Sequence, residues 1–228
     1  MPIKTIAVVL TDPDTAKIVI DYAICLAEGH QAHLVGLHGE AIDPPPVMSP
    51  FDLPDASVVA TLYEAAADRS KGMEAQFNDT TQRAGVSAGW RTLRGTSGLA
   101  AQGVVESCRA ADLVIASQPA AGRVGEMDDV LFESGRPVLF IPWIARECKP
   151  FARILVAWDG SRESTRAIFD SIPLLRAAAE VEVFSIDAPD TKAQSAALSG
   201  ADIAETLARR GLKVTVNSQE SERLPISA

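Results

Sequence analysis

The sequence writes one pattern twice, and an internal repeat limits the folds open to a chain more than any single residue does. An apolar run, Ile6-Ala-Val-Val-Leu10, breaks at Thr11-Asp12-Pro13; apolar residues then recur at helical spacing (Ile18, Val19, Tyr22, Leu26). A second run follows at His33-Leu-Val-Gly-Leu-His38. From Ile154 the succession returns: Ile154 to Trp158, a break at Asp159-Gly160-Ser161, helical spacing at Ala167, Ile168, Ile172, Leu174 and Leu175, then a run from Val181 to Ile186. Ile6 and Ile154 stand 148 positions apart, as do His38 and Ile186, so the copies align without a gap. Continuous apolar strands are those a parallel sheet buries on both faces, and parallel neighbours need a crossover helix. The repeated unit therefore reads as β-α-β.

The first copy continues through Asp43-Pro-Pro-Pro-Val-Met-Ser-Pro50, whose four prolines exclude helix and central strand. Asp55 is expected to cap a helix to Ala84, with Val59, Leu62, Ala66, Met73 and Phe77 on its buried side and Gly85 at its end. Gly29 is expected to stop the helix before it. A strand at Val86–Leu93, a helix ending near Ala111 and strands at Asp112–Ala116 and Pro137–Ile141 complete the copy, and Arg146–Lys149 reads as a linker. In the second copy a helix from about Lys192 to Arg210 ends at Gly211, and Leu212, Val214 and Val216 match Val86, Ala88 and Trp90 at a separation of 126. Twelve residues remain after Val216, where the first copy used 51 more to complete two further strands. The expected fold is α/β, a doubly wound parallel five-stranded sheet, repeated, with the second copy truncated after its third strand. The domains are placed at 1–145 and 146–228.

A formal charge of −9 argues against a nucleic-acid partner, which would want a basic face. No run of 18 apolar residues offers a membrane span, and MPIKTIAVVL is broken too early to be a secretory leader. Cys25, Cys108 and Cys148 are odd in number and widely spaced, which suits buried thiols in a reducing cytoplasm better than a disulfide frame or a zinc site.

A tandem β-α-β repeat of this kind resembles the universal stress protein family. The resemblance rests on Ile154-Leu-Val-Ala-Trp-Asp-Gly-Ser161, on Ala32-His-Leu-Val-Gly-Leu-His38, and on Asp112-Leu-Val-Ile-Ala116 followed by Arg136-Pro-Val-Leu-Phe-Ile-Pro142. It implies the adenine nucleotide alpha hydrolase-like fold and a small cytoplasmic protein. Some members bind ATP with an Asp ending the first strand near the adenine. They hold the phosphates on a G-x2-G-x9-G pattern, followed by Ser or Thr, just after the fourth strand. Gly122, Gly125 and Gly135 repeat that spacing, but Ser117-Gln-Pro-Ala-Ala121 separates them from the strand and Arg136 follows the last glycine. Thr11 stands at the adenine-side position with Asp12 beside it. The second copy has Asp159 in register, followed by Gly160 and Ser161, and no fourth strand. The nucleotide-site candidates implied are thus Thr11, Asp12, Ser117, Gly122, Gly125, Asp159, Gly160 and Ser161.

Most of these residues also have a local structural reading. Ser161 suits a helix N-cap, and Arg94-Gly-Thr-Ser-Gly98 suits a cap and turn as well as an anion seat. His33 and His38 have opposite strand parity, which argues against a shared metal. Cys108 reads as core, and Glu126, Asp128 and Asp129 as a solvated helix start that matches the helix dipole. No P-loop, dinucleotide fingerprint or serine elbow occurs. The expectation is a non-enzymatic stress-response protein with weak or absent ATP binding and no metal. The alternative is an ATP-binding or ATP-hydrolysing protein whose site is completed by dimerisation. A homodimer is expected either way, through the fifth strand of the first copy or over the edge at 154–158.

Overall fold

A computed structural model describes residues 2–43, 56–119, 127–149, 151–186 and 200–219. The chain divides into two compact units, Pro2–Cys148 and the part from Lys149 on. Asp55, the proline stretch from 44 on, and the Lys192 start of the late helix lie outside the described residues.

In the first unit the elements run β1 (Thr5–Val9), α1 (Pro13–His30), β2 (His33–Ala41), α2 (Ala56–Ala84), β3 (Ala88–Gly95), α3 (Ser97–Cys108), β4 (Leu113–Ser117), α4 (Asp128–Glu133) and β5 (Val138–Ile141). The strands form one parallel sheet in the order β3-β2-β1-β4-β5. The direction of winding reverses between β1 and β4, the place where open α/β sheets leave a crevice at the strand ends. β1 is central and buried on both faces, which its unbroken apolar run demands. One face packs α3 and α4 onto Ala7, Val9, Leu37, Val114 and Ala116. The other carries α1 and α2.

Local chemistry sets the helix ends. Asp12 caps α1 by accepting from the Asp14 N–H at 2.9 Å, and Pro13 takes the first helical position, where its missing N–H is not needed. Gly29 does not stop this helix; Gln31, at φ 52°, is the left-handed cap. Gly85 at φ 69° does follow α2. Along α2, Ala66, Met73 and Phe77 are buried as expected, but Leu62 is 45% exposed and Val59 only half-buried. The 29-residue α2 is about 44 Å long, whereas the eight residues of β3 span about 26 Å, so the first turns overrun the sheet.

The second unit comprises β6 (Arg153–Ala157), α5 (Arg162–Leu175), β7 (Glu180–Ile186), α6 (Ala201–Ala208) and β8 (Val214–Gln219), a parallel sheet in the order β6-β7-β8. It repeats the arrangement of β1, β2 and β3, but not gap-free. Thr5 pairs with His33, 28 positions on, whereas Arg153 pairs with Glu180, 27 positions on. The crossover in the second unit is one residue shorter, so Val181 and Val183 take the places of Leu34 and Gly36. A one-residue shift exchanges the faces of a strand. The gapless alignment would have put Glu182 into the core that Val156, Val181, Val183, Ile168, Leu175, Ile203 and Leu207 form.

Both described helices of this unit pack on that one face. The opposite face, covered by α3 and α4 in the first unit, has no described helix over it. Leu155 is 58% and Ile186 61% exposed there. Ion pairs and a hydrogen bond occupy much of the rest: Lys213 to Glu180 at 3.0 Å, Arg153 to Glu180 at 3.5 Å, and Asn217 donating to Glu182 at 3.2 Å.

Candidate functional site

The β1–β4 register, Val9 opposite Ala116, brings Thr11 and Asp12 to the same end of the sheet as Ser117. Thr11 and Asp12 also line a cavity of about 340 Å³ shared with His38, Gly39, Glu40, Ala66, Arg69 and Met73. It lies where β1 and β2 end beside α2. Gly122 and Gly125 lie outside the described residues. Gly135, at φ 66°, follows α4 and does not open a helix.

Sequence reasoning missed the most buried polar groups of this cavity. His38 is 8% and Glu40 5% exposed. The extension of β2 to Ala41 carries them: residues two apart share a face, and both turn toward α2. His38 donates from Nδ1 to the Leu10 carbonyl at 2.8 Å, and burial holds its pKa below the usual imidazole range, so it is neutral at pH 7. The Leu10 bond and the Glu40 charge oppose that shift, while Arg69 adds to it. Glu40 pairs with Arg94 Nε at 3.3 Å. The arrangement can hold a small polar molecule, but it contains no nucleophile aligned with a base. Among the described residues no three His, Cys, Asp or Glu side chains cluster as metal ligands; His33 is taken up with the Ser87 hydroxyl at 2.8 Å.

The other candidates are occupied by the fold. Asp12 spends its carboxylate on the α1 cap. The Ser161 hydroxyl accepts from the Ser164 N–H at 3.1 Å and caps α5. Asp159 accepts from the Ser161 N–H at 2.9 Å; hydrogen bonds from Ser161 and then Ser164 bring its carboxyl pKa down to about 2. Gly160, at φ 76°, supplies the left-handed turn between them. The 94–98 turn needs no outside anion, because the Asp43 carboxylate receives the Ser97 N–H at 2.9 Å. Asp128 and Asp129 fall in the first turn of α4, which has six residues.

Of the three cysteines, expected as buried thiols, Cys108 alone is fully buried. Burial pushes its pKa up to about 12. Cys25 is exposed and Cys148 half-buried. No helix among the described residues is long and apolar enough to cross a membrane.

Comparison with solved structures identifies the fold. A universal stress protein from Archaeoglobus fulgidus DSM 4304 superposes with a TM-score of 0.69 at 15% identity, over 94% of this chain and 77% of that one. A protein assigned to the same family in Pseudomonas aeruginosa UCBPP-PA14 gives 0.54 at 17%, over 96% and 74%. The chain has the universal stress protein fold, with a second copy of three described strands. No protein-family model and no curated protein matches it.

Proposed function

We propose that the chain is a universal stress protein-like regulatory protein of the cytoplasm that performs no chemistry of its own and holds ATP weakly or not at all. The observation that supports this most directly is α4. The phosphate loop of ATP-binding members follows the fourth strand, and here that region leads into a six-residue helix whose first turn carries two exposed carboxylates, Asp128 and Asp129. Negative charge at a helix N-terminus stabilises the helix and repels a triphosphate. On the adenine side Thr11 replaces the aspartate, and the neighbouring Asp12 is engaged as a cap.

A second reading is an ATP site completed by dimerisation. It is favoured by Asp159, which sits at the end of β6 in register with the adenine-side aspartate, and by β6 itself, which pairs only with β7 among the described residues. In that reading another chain would supply the phosphate side.

Calorimetric titration with Mg–ATP separates the two. The first reading expects no saturable heat up to about 1 mM nucleotide, a free energy no better than about −4 kcal/mol. Saturation with a Kd below about 10 µM overturns it. Saturation that vanishes on dilution, together with the dimer, supports the second.

A further inference from the structure

The cavity where β1 and β2 end lies beside α2 and, among the described residues, shares only Thr11 and Asp12 with the nucleotide-site candidates. At about 340 Å³ it falls at the small end of the range for ligand sites. Ala66 and Met73 of α2, both buried, give it an apolar wall. His38 and Glu40 of β2, also buried, give it a polar one. Burying such groups costs stability unless partners satisfy them. The His38 Nδ1 proton goes to the Leu10 carbonyl at 2.8 Å, which leaves Nε2 of the neutral ring as an acceptor. Glu40 lies opposite Arg94 in the β2–β3 register, and its Oε2 accepts from Arg94 Nε at 3.3 Å. A carboxylate has room for about four hydrogen bonds, so this long contact alone does not saturate it.

The described lining sets two carboxylates, Asp12 and Glu40, against one guanidinium, Arg69 of α2. With His38 neutral the balance is negative, which does not suit a phosphate. It suits an ammonium group, whose three donors and positive charge match Glu40 and the His38 Nε2. Arg69 is exposed at the mouth, and its planar fork matches a carboxylate. A ligand that meets both carries the two charges on one short skeleton, and the wall of Ala66 and Met73 suits an aliphatic side chain on it.

We propose that this cavity is a binding site for a small aliphatic α-amino acid, held with its ammonium group toward Glu40 and His38 and its carboxylate toward Arg69.

The site would give a regulatory protein a signal to read, and it stands whether or not the chain holds ATP. Calorimetric titration of the full chain with L-alanine, L-valine and L-leucine tests it. At least one should give saturable heat with a Kd below about 1 mM. Its N-acetyl derivative, which lacks the ammonium, and its amide, which lacks the carboxylate, should each bind about tenfold or more weakly. Arg69→Gln, at an exposed position, should weaken binding by a similar factor with the circular dichroism unchanged, and so should Glu40→Gln. The derivatives probe the wild-type chain, so the test does not depend on how well Glu40→Gln folds. Excess Mg–ATP should leave the affinity as it was. Absence of saturable heat with all three amino acids up to about 10 mM overturns the proposal. So does equal affinity for either derivative, undiminished binding by Arg69→Gln, or displacement by Mg–ATP, which would put the amino acid in the nucleotide crevice.

Discussion

Gly36 is the position where adding a single methyl group has the most calculable effect. Its φ is ordinary, so the glycine serves space, not backbone freedom. A Cβ there would lie 2.4 Å from Trp90 Cε3, 2.8 Å from Trp90 Cζ3 and 3.1 Å from Phe77 Cδ1. Carbon atoms want about 3.5–4.0 Å, so the indole must retreat by about 1 Å. It is held by its N–H on the Thr92 hydroxyl at 2.9 Å and by the Phe77 ring, centroids 5.4 Å apart, and Phe77 is itself fully buried. Overpacking of this kind costs about 3 kcal/mol, offset by about 0.5–1 kcal/mol from the stiffer unfolded chain, so Gly36→Ala should destabilise the first unit by about 2 kcal/mol. The second unit shows the compensating solution. Gly36 pairs with Trp90, whereas the equivalent pair there is Val183 and Val216. Gly36→Val combined with Trp90→Val should therefore cost less than the sum of the single changes, by about 1–2 kcal/mol. Urea unfolding followed by far-UV circular dichroism, fitted as separate transitions where the units part, measures each corner of the cycle. A Gly36→Ala protein within about 0.5 kcal/mol of wild type, or strict additivity in the cycle, refutes the packing argument.

Two further outcomes follow. His38 is held neutral, with its folded pKa below the unfolded 6.5, so its contribution is complete above pH 6.5 and is lost as pH falls from there toward the folded value. The stability difference between wild type and His38→Asn should thus decline below pH 6.5 by at most about 1.4 kcal/mol per pH unit; a difference flat from pH 7 to 5 contradicts it. The chain should also run as a dimer, twice 24.2 kDa, in light scattering at micromolar concentration. If the β6 side is the interface, Leu155→Lys, a change at a 58% exposed position, should shift the species to monomer without altering its circular dichroism. A wild-type monomer refutes the assembly.

What was legible in the sequence was local. Unbroken apolar runs marked β1 and β4 because both faces of those strands are buried, and Ser161 announced the start of α5 because capping is decided within three residues. The missing crossover residue was half legible: Val181-Glu-Val alternates with the same parity as Leu34-Val-Gly, and weighing that parity above gapless alignment would have placed Glu182 outside the core. The parity of His38 and Glu40 was equally readable, but their burial depends on how far β2 runs and on α2 lying over them.

Among the described residues the sheet of the second unit carries helices on one face alone, which bears on how the chain comes apart. Strands shielded on one side alone leave their amides a short route to water, and fewer apolar contacts must part before a ladder bond opens. Glu180, Glu182, Lys213 and Asn217 suit that wetted surface, yet they resist fraying far less than a layer of helices would. Breathing should therefore begin among β6, β7 and β8, well before solvent finds β1.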